Sequence, residues 1–222
     1  SLSRPIVGGI CLVGIPAAIQ NLLNVTSMTV LNNFTASYGS DAVAAMGITQ
    51  KINMVPMYIA LGLSQGIMPL VSYNYASGNV QRMKRTVLFA STIAVAFLGV
   101  ILVLYYLGAH VLVQCFMQNQ TIVDYGTRFL RGFCLGLPFL GMDFLAVGVF
   151  QATGMGRQAL LFAVLRKVIL EIPALFILNR LFSVYGLSYA QFVTELILAT
   201  TAVVVLIRLF RRLEAQSQAA GR

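Results

Sequence analysis

Apolar residues run along this chain in six long stretches, each interrupted only by isolated polar residues and each ended by a short polar cluster. They cover Ile6–Phe34, Ala42–Tyr73, Met83–Leu112, Ile122–Ala152, Gln158–Leu181 and Leu187–Leu209. A helix needs about 20 mainly apolar residues to cross a bilayer. Each stretch therefore predicts one spanning helix, with tilt, kinks or overhang taking up the excess length. Prolines fall inside four of them, at Pro16, at Pro56 and Pro69, at Pro138 and at Pro173. In lipid such breaks are tolerated where neighbouring groups satisfy the freed carbonyls, often beside a cavity. The expected fold is an all-α, polytopic membrane protein: a six-transmembrane-helix bundle over residues 1–215, with a cytoplasmic tail at 213–222.

The polar residues inside the spans are not scattered. At 100° per residue, Gln50, Met54, Met57, Leu61, Ser64, Gln65, Met68 and Ser72 share one face of the second span. Gly62 and Gly66 lie on a different face, as a small-xxx-small pair suited to close helix packing. In the first span, Gln20, Asn21, Asn24, Ser27, Met28, Asn32 and Thr35 share one arc. Such amides can simply hold helices together, at about 0.6 kcal/mol per bond on average. Two neighbouring stripes aligned over several turns point instead to the wall of a hydrated cavity. Methionine adapts to ligands of different shape, which suits a permissive site. Asn21, Asn24, Asn32, Gln50, Met54, Met57 and Gln65 are the candidate cavity-lining residues.

Composition agrees with the pattern. Hydrophobic residues make up 59% of the 222 and charged residues only 9%, against about 25% charged in soluble domains. The net charge of +9 lies at the ends of the apolar stretches, as topology signals do, and not on a basic face with interleaved aromatics that would grip nucleic acid. Arg4, Arg82, Lys84, Arg85, Arg157, Arg208, Arg211 and Arg212 fall on one side. Arg180 falls on the other, with Arg128 and Arg131 just inside the fourth span. The first side is expected to be cytoplasmic, with both termini there. Cys11, Cys115 and Cys134 have neither metal nor disulfide spacing, and His110 has no sequence partner for catalysis. With no nucleophile–base set and no metal cluster, neither an enzyme nor a bound cofactor is expected.

Four charges sit deep in the spans. At 1.5 Å per residue, Lys51 lies about 15 Å from the outer end of the second span and Asp143 about 15 Å from the inner end of the fourth. By the same rise, Glu171 lies about 18 Å from the inner end of the fifth and Glu195 about 12 Å below the outer end of the sixth. In a hydrocarbon core about 30 Å thick, all four are near the middle. Such charges by default mark an ion or substrate pathway. Buried pairing is the alternative: Lys167 lies one turn from Glu171, and Arg128 or Arg131 could reach Glu195. Asp143 follows Pro138 in the glycine-rich segment Gly132–Gly148 and has no basic residue within one turn. It is the foremost candidate to carry a proton or cation, with Lys51 as a candidate electrostatic partner. Asp143, Lys51, Glu171 and Glu195 together form the candidate ion-coupling set.

Four segments carry a family resemblance: GIPAAIQNLL at Gly14–Leu23, GLSQGIMPLVSYNYASG at Gly62–Gly78, FQATGMGRQALL at Phe150–Leu161 and LRKVILEIPALFIL at Leu165–Leu178. In this order, over nearly the whole chain, they resemble the carboxy-terminal half of MATE (multidrug and toxic compound extrusion) transporters, bacterial branch. The resemblance implies twelve helices in two six-helix lobes related by a pseudo-two-fold axis along the membrane normal. It implies exchange of inward protons or sodium for outward organic cations by alternating access, in a bacterial cytoplasmic (inner) membrane. Family members often use acids on the seventh and tenth helices, here the first and fourth. Asp143 matches the tenth-helix acid, whereas the first span has no Asp or Glu before Asp41, so the seventh-helix acid has no counterpart. The implied coupling ion is H+ or Na+. The implied partners are membrane lipids, organic cation substrates, and an amino-terminal lobe or second copy. The chain begins at Ser1-Leu2-Ser3 without methionine, and the expectation is a piece of a chain roughly twice as long, since pseudo-symmetry is usually internal to one chain. A lipid-linked precursor flippase, which needs a strongly basic cavity, and a non-transporting six-helix assembly subunit are the alternatives.

Overall fold

A computed structural model of the protein describes residues 3–221, and among them every element is helical. Ser1, Leu2 and Arg222, at the ends of the expected lobe and tail, lie outside the described residues. Helices α1 (Arg4–Ala36), α2 (Ser40–Ala76), α3 (Val80–Gln114) and α8 (Val184–Ala220) are each long and apolar enough to cross a membrane. The fourth expected span is α4 (Gln120–Cys134) and α5 (Leu137–Ala152), bent by 46° at their junction. Pro138 lies in the first turn of α5, where its missing N–H is one of the unpaired donors in any case. The chain can therefore restart a helix there in a new direction.

The fifth expected span is three helical segments in succession: α6 (Gly156–Val164), a π-helical stretch Leu165–Glu171, and α7 (Ile172–Phe182). Pro173, in the first turn of α7, removes a donor and crowds the preceding turn of a regular helix. The wider π turn accommodates it, with the Ile172 N–H donating to the Lys167 carbonyl. The sixth span does not stop at Leu209. Helix α8 continues through the expected tail to Ala220, with Leu213 buried and the Lys84 ammonium 3.1 Å from the Glu214 carboxylate. The expected turn at Ser77-Gly78-Asn79 is present, with Gly78 at φ +76° and the Asn79 side chain accepting from the Arg82 N–H to start α3.

Among the described residues, four apolar clusters build the bundle, and the two largest lie toward its two ends. One joins Val71, Met83, Val87, Phe150, Phe162, Leu206 and Phe210 toward the end that carries the basic loops. Another joins Leu31, Met46, Phe129, Phe133, Leu175 and Leu187 toward the opposite end. The outer surface is apolar too: Phe89, Leu104 and Leu107 of α3 are 70%, 62% and 75% exposed. A band of that size on an isolated chain marks contact with lipid or another apolar partner.

The close helix contact in α2 is not at Gly62 and Gly66, around which there is open space. It is at Ser64, about half a turn round the helix from either glycine. Ser64 packs directly on Gly148 of α5 and donates 2.7 Å to the Phe144 carbonyl. The glycine that matters here belongs to the partner helix. The assignment of Ser64 to a cavity face is thereby corrected, since its side chain is buried between helices. Ser64→Ala is expected to destabilise the fold by only about 0.6 kcal/mol, the average for an interhelical bond in a membrane protein. A melting-temperature comparison in detergent measures it.

Candidate functional site: a buried charge cluster

Three helical segments bring ionisable groups to one place between the two largest apolar clusters. Asp143 projects from α5, Glu195 from α8 and Arg166 from the π-helical stretch. The Arg166 guanidinium bridges the two acids: Nη2 pairs with Asp143 Oδ2, and Nε lies 3.2 Å from Glu195 Oε1. Its flat face lies over the Phe144 ring, 4.8 Å from the centroid, an arrangement that suits a weakly hydrated, planar cation. The side chains of Asp143 and Glu195 are 1% and 2% exposed, and that of Arg166 is 14% exposed. Asp143 Oδ1, Glu195 Oε2 and the Thr194 hydroxyl are buried and take no hydrogen bond.

A second pair adjoins this triad. Lys167 bonds Glu171 one turn on, at 2.8 Å, and the other Glu171 oxygen accepts 2.8 Å from Ser27 of α1. Helix α1 otherwise meets the bundle sparingly and is exposed over most of its length, with Ser27, Leu31 and Thr35 buried. Glu171 is thus both neutralised and tied to the least embedded helix. Tyr38, just beyond α1, pairs with Asn179 of α7, and Phe34 stacks edge-on with Phe176 at 4.8 Å. These contacts fasten the same helix to the same span.

Several sequence expectations about partners are corrected by this geometry. The partner of Asp143 is Arg166 and not Lys51, which is exposed on α2. Glu195 also pairs with Arg166; Arg128 and Arg131 are instead stacked on Tyr185 and Tyr106, at 4.7 and 5.4 Å. The Lys167–Glu171 pair forms as its one-turn spacing suggests. Arg166 is the residue that sequence reasoning misses. Its signal is the pair of adjacent cations in LRKVILE, since two cations inside an apolar span require at least two acceptors.

The candidate cavity residues lie elsewhere on the surface. Asn21, Asn24 and Asn32 of α1 and Met54 and Gln65 of α2 are exposed, and Gln50 and Met57 are half-buried. Ser27 and Thr35, on the same arc of α1, are turned inward. Two concavities, of about 220 and 330 Å3, are lined by other residues, one where the α2–α3 turn meets the end of α8 and one beside Tyr106 and Leu135. The amide residues of the stripe are therefore mostly exposed on the surface of this chain and line neither concavity.

Comparison with known proteins agrees with this architecture. The MatE family model matches residues 16–177. The chain is 34% identical over 201 residues to the multidrug export protein MepA of Staphylococcus saprophyticus, covering 90% of this chain and 44% of that protein. It is 36% identical over 202 residues to MepA of Staphylococcus aureus, with the same coverage. The chain thus spans about half the length of the curated relatives it matches. Solved structures share its fold at low identity. The crystal structure of MATE in the bent conformation matches at TM-score 0.89 and 20% identity, over 98% of this chain and 49% of that one. The Vibrio cholerae MATE transporter VcmN in the bent form matches at TM-score 0.88 and 20% identity, over 96% of this chain and 49% of that one. The shared fold covers about half of each of those structures, as one lobe would, and this chain belongs to the MATE family of multidrug export transporters, which are not enzymes.

Proposed function

We propose that the chain is the carboxy-terminal lobe of a secondary active multidrug exporter that exchanges organic cations for protons or sodium by alternating access. The observation that carries this reading is the Asp143–Arg166–Glu195 cluster, two acids and one base sealed inside a bundle with an apolar exterior. A net buried charge is costly unless another cation joins it, so the cluster is poised to take up and release one. The match to MepA proteins over 90% of the chain supports drugs as the cargo. The open stripe of Asn21, Asn24, Asn32, Gln50, Met54, Met57 and Gln65 forms one wall of the drug cavity, and a second lobe supplies the other. Both termini face the cytoplasm, and the membrane is the bacterial inner membrane.

In this reading Asp143 carries the coupling charge, while Lys51 and the neutralised Glu171 play no direct part. The complete gene product with Asp143→Asn is expected to lose essentially all resistance to ethidium in a drug-hypersensitive host, at unchanged membrane abundance. Undiminished resistance would remove Asp143 from the mechanism.

A further inference from the structure

The charge count at the triad points to its ligand. Asp143 and Glu195 bring two negative charges and Arg166 one positive. The neighbouring Lys167–Glu171 pair is neutral by itself. One negative charge is left over in a site almost closed to water. The charged groups facing the acids are Arg166, Lys167 and Glu171, all from the π-helical stretch. Among the described residues, no other element packed there offers compensation. Arg128 and Arg131 of α4 are held by tyrosines, and Lys51 of α2 is exposed. The remaining bases of α1, α3, α6 and α7 (Arg4, Arg82, Lys84, Arg85, Arg157 and Arg180), like His110, lie near helix ends, and Arg208, Arg211 and Arg212 of α8 are exposed more than three turns beyond Glu195.

Two carboxylates facing one another attract a cation to the space between them. Here that space is filled by the side chain of Arg166. A free hard cation needs a shell of several oxygen atoms. Of the triad's carboxylate oxygens, Asp143 Oδ1 and Glu195 Oε2 are the two that remain buried and outside the ion pairs with Arg166. Nor, among those residues, could any group of three or more His, Cys, Asp or Glu side chains enclose a metal ion. A proton needs a single oxygen. Like charges sharing one site favour holding one proton between them.

We infer that the Asp143–Arg166–Glu195 triad binds one exchangeable proton, shared by the two carboxyls, and that Arg166 excludes sodium by occupying the space between them. Arg166 is then the residue that sets ion selectivity. As a coupling site this rests on the exporter reading, but proton occupancy can be read without transport. The fitting experiment is infrared difference spectroscopy of the complete gene product in liposomes, following the protonated-carboxyl stretch through a pH titration in potassium and again in sodium. A carboxyl band that titrates, is unchanged by sodium, and disappears in both Asp143→Asn and Glu195→Gln is expected. Either substitution leaves one acid against one guanidinium, a neutral pair with no proton to release. Absence of the band, its suppression by sodium, or its persistence in both variants would each overturn the inference. Wild-type spectra in the two salts decide the matter even when a variant fails to fold. A titrating band without ethidium export under any ion gradient would retire the exporter reading and leave the proton site standing.

Discussion

Arg166→Met is expected to destabilise the lobe by about 3–5 kcal/mol, the usual cost of removing one partner from a buried ionic network. The substitution keeps much of the side-chain volume but leaves Asp143 and Glu195 facing each other with no counter-ion. The penalty is repulsion and desolvation together, and it should appear as a large fall in melting temperature in detergent, followed by circular dichroism. Arg166→Lys should recover only part of the loss. An ammonium is a compact point charge and cannot serve two carboxylates through a rigid fork while lying flat on Phe144. The triple variant Arg166→Met, Asp143→Asn, Glu195→Gln should recover most of the stability, because replacing an entire buried network by neutral groups is often nearly neutral. It should not recover export, since no group is left to carry charge. A single Arg166→Met variant as stable as the wild type would mean the three side chains are not coupled as the structure shows.

How far the sequence disclosed this site depends on the kind of signal. That the chain is built of long apolar helices was legible because apolar runs of this length seldom occur except as membrane spans, although among the described residues only α1, α2, α3, α8 and the bent α4–α5 pair are long and apolar enough to cross by length and composition. Helical rise set Asp143 and Glu195 far from the ends of their spans, and both are buried, whereas Lys51, placed by the same rise, is exposed. The Lys167–Glu171 pair lies within one helix, so its spacing sufficed. What could not be read was pairing between helices. Asp143 has no base near it in sequence, and its partner lies on a different span, aimed inward from a π-helical turn that periodicity of 3.6 does not describe. A regular helical wheel through Leu165–Glu171 misplaces every residue after the widened turn. The amide stripes had a related weakness. Periodicity identified the arc on α1 that includes Asn24 and Ser27, but within that arc Ser27 turns to Glu171 and Asn24 outward. Which part of a polar arc faces a neighbouring helix is a property of the neighbour.

Gly186→Ala is expected to be the most damaging single methyl group that can be added to the lobe, costing at least the about 1–3 kcal/mol typical of overpacking. Gly186 lies in the first turn of α8, immediately after the reversal at Ser183, whose φ is +59°. A Cβ there would fall on the carbonyl oxygen and carbon of Leu178 in α7 and 3.1 Å from the Phe182 Cβ. Most of that obstruction is backbone, so no rotamer change relieves it and α7 must move away from α8. The π-helical stretch carrying Arg166 runs directly into α7, while Glu195 sits on α8. The displacement should therefore reach the Arg166–Glu195 contact and lower both melting temperature and ethidium export. Gly62→Ala and Gly66→Ala are the controls. A Cβ at either meets nothing within 4 Å, and alanine is the better helix former by about 1 kcal/mol, so neither should lower the melting temperature. Unchanged melting of Gly186→Ala would refute the tight α7–α8 junction. Loss of export from Gly62→Ala in the complete gene product, with melting unchanged, would place a second protein surface against this face of α2 at some stage of the transport cycle, as two lobes closing on a shared cavity require.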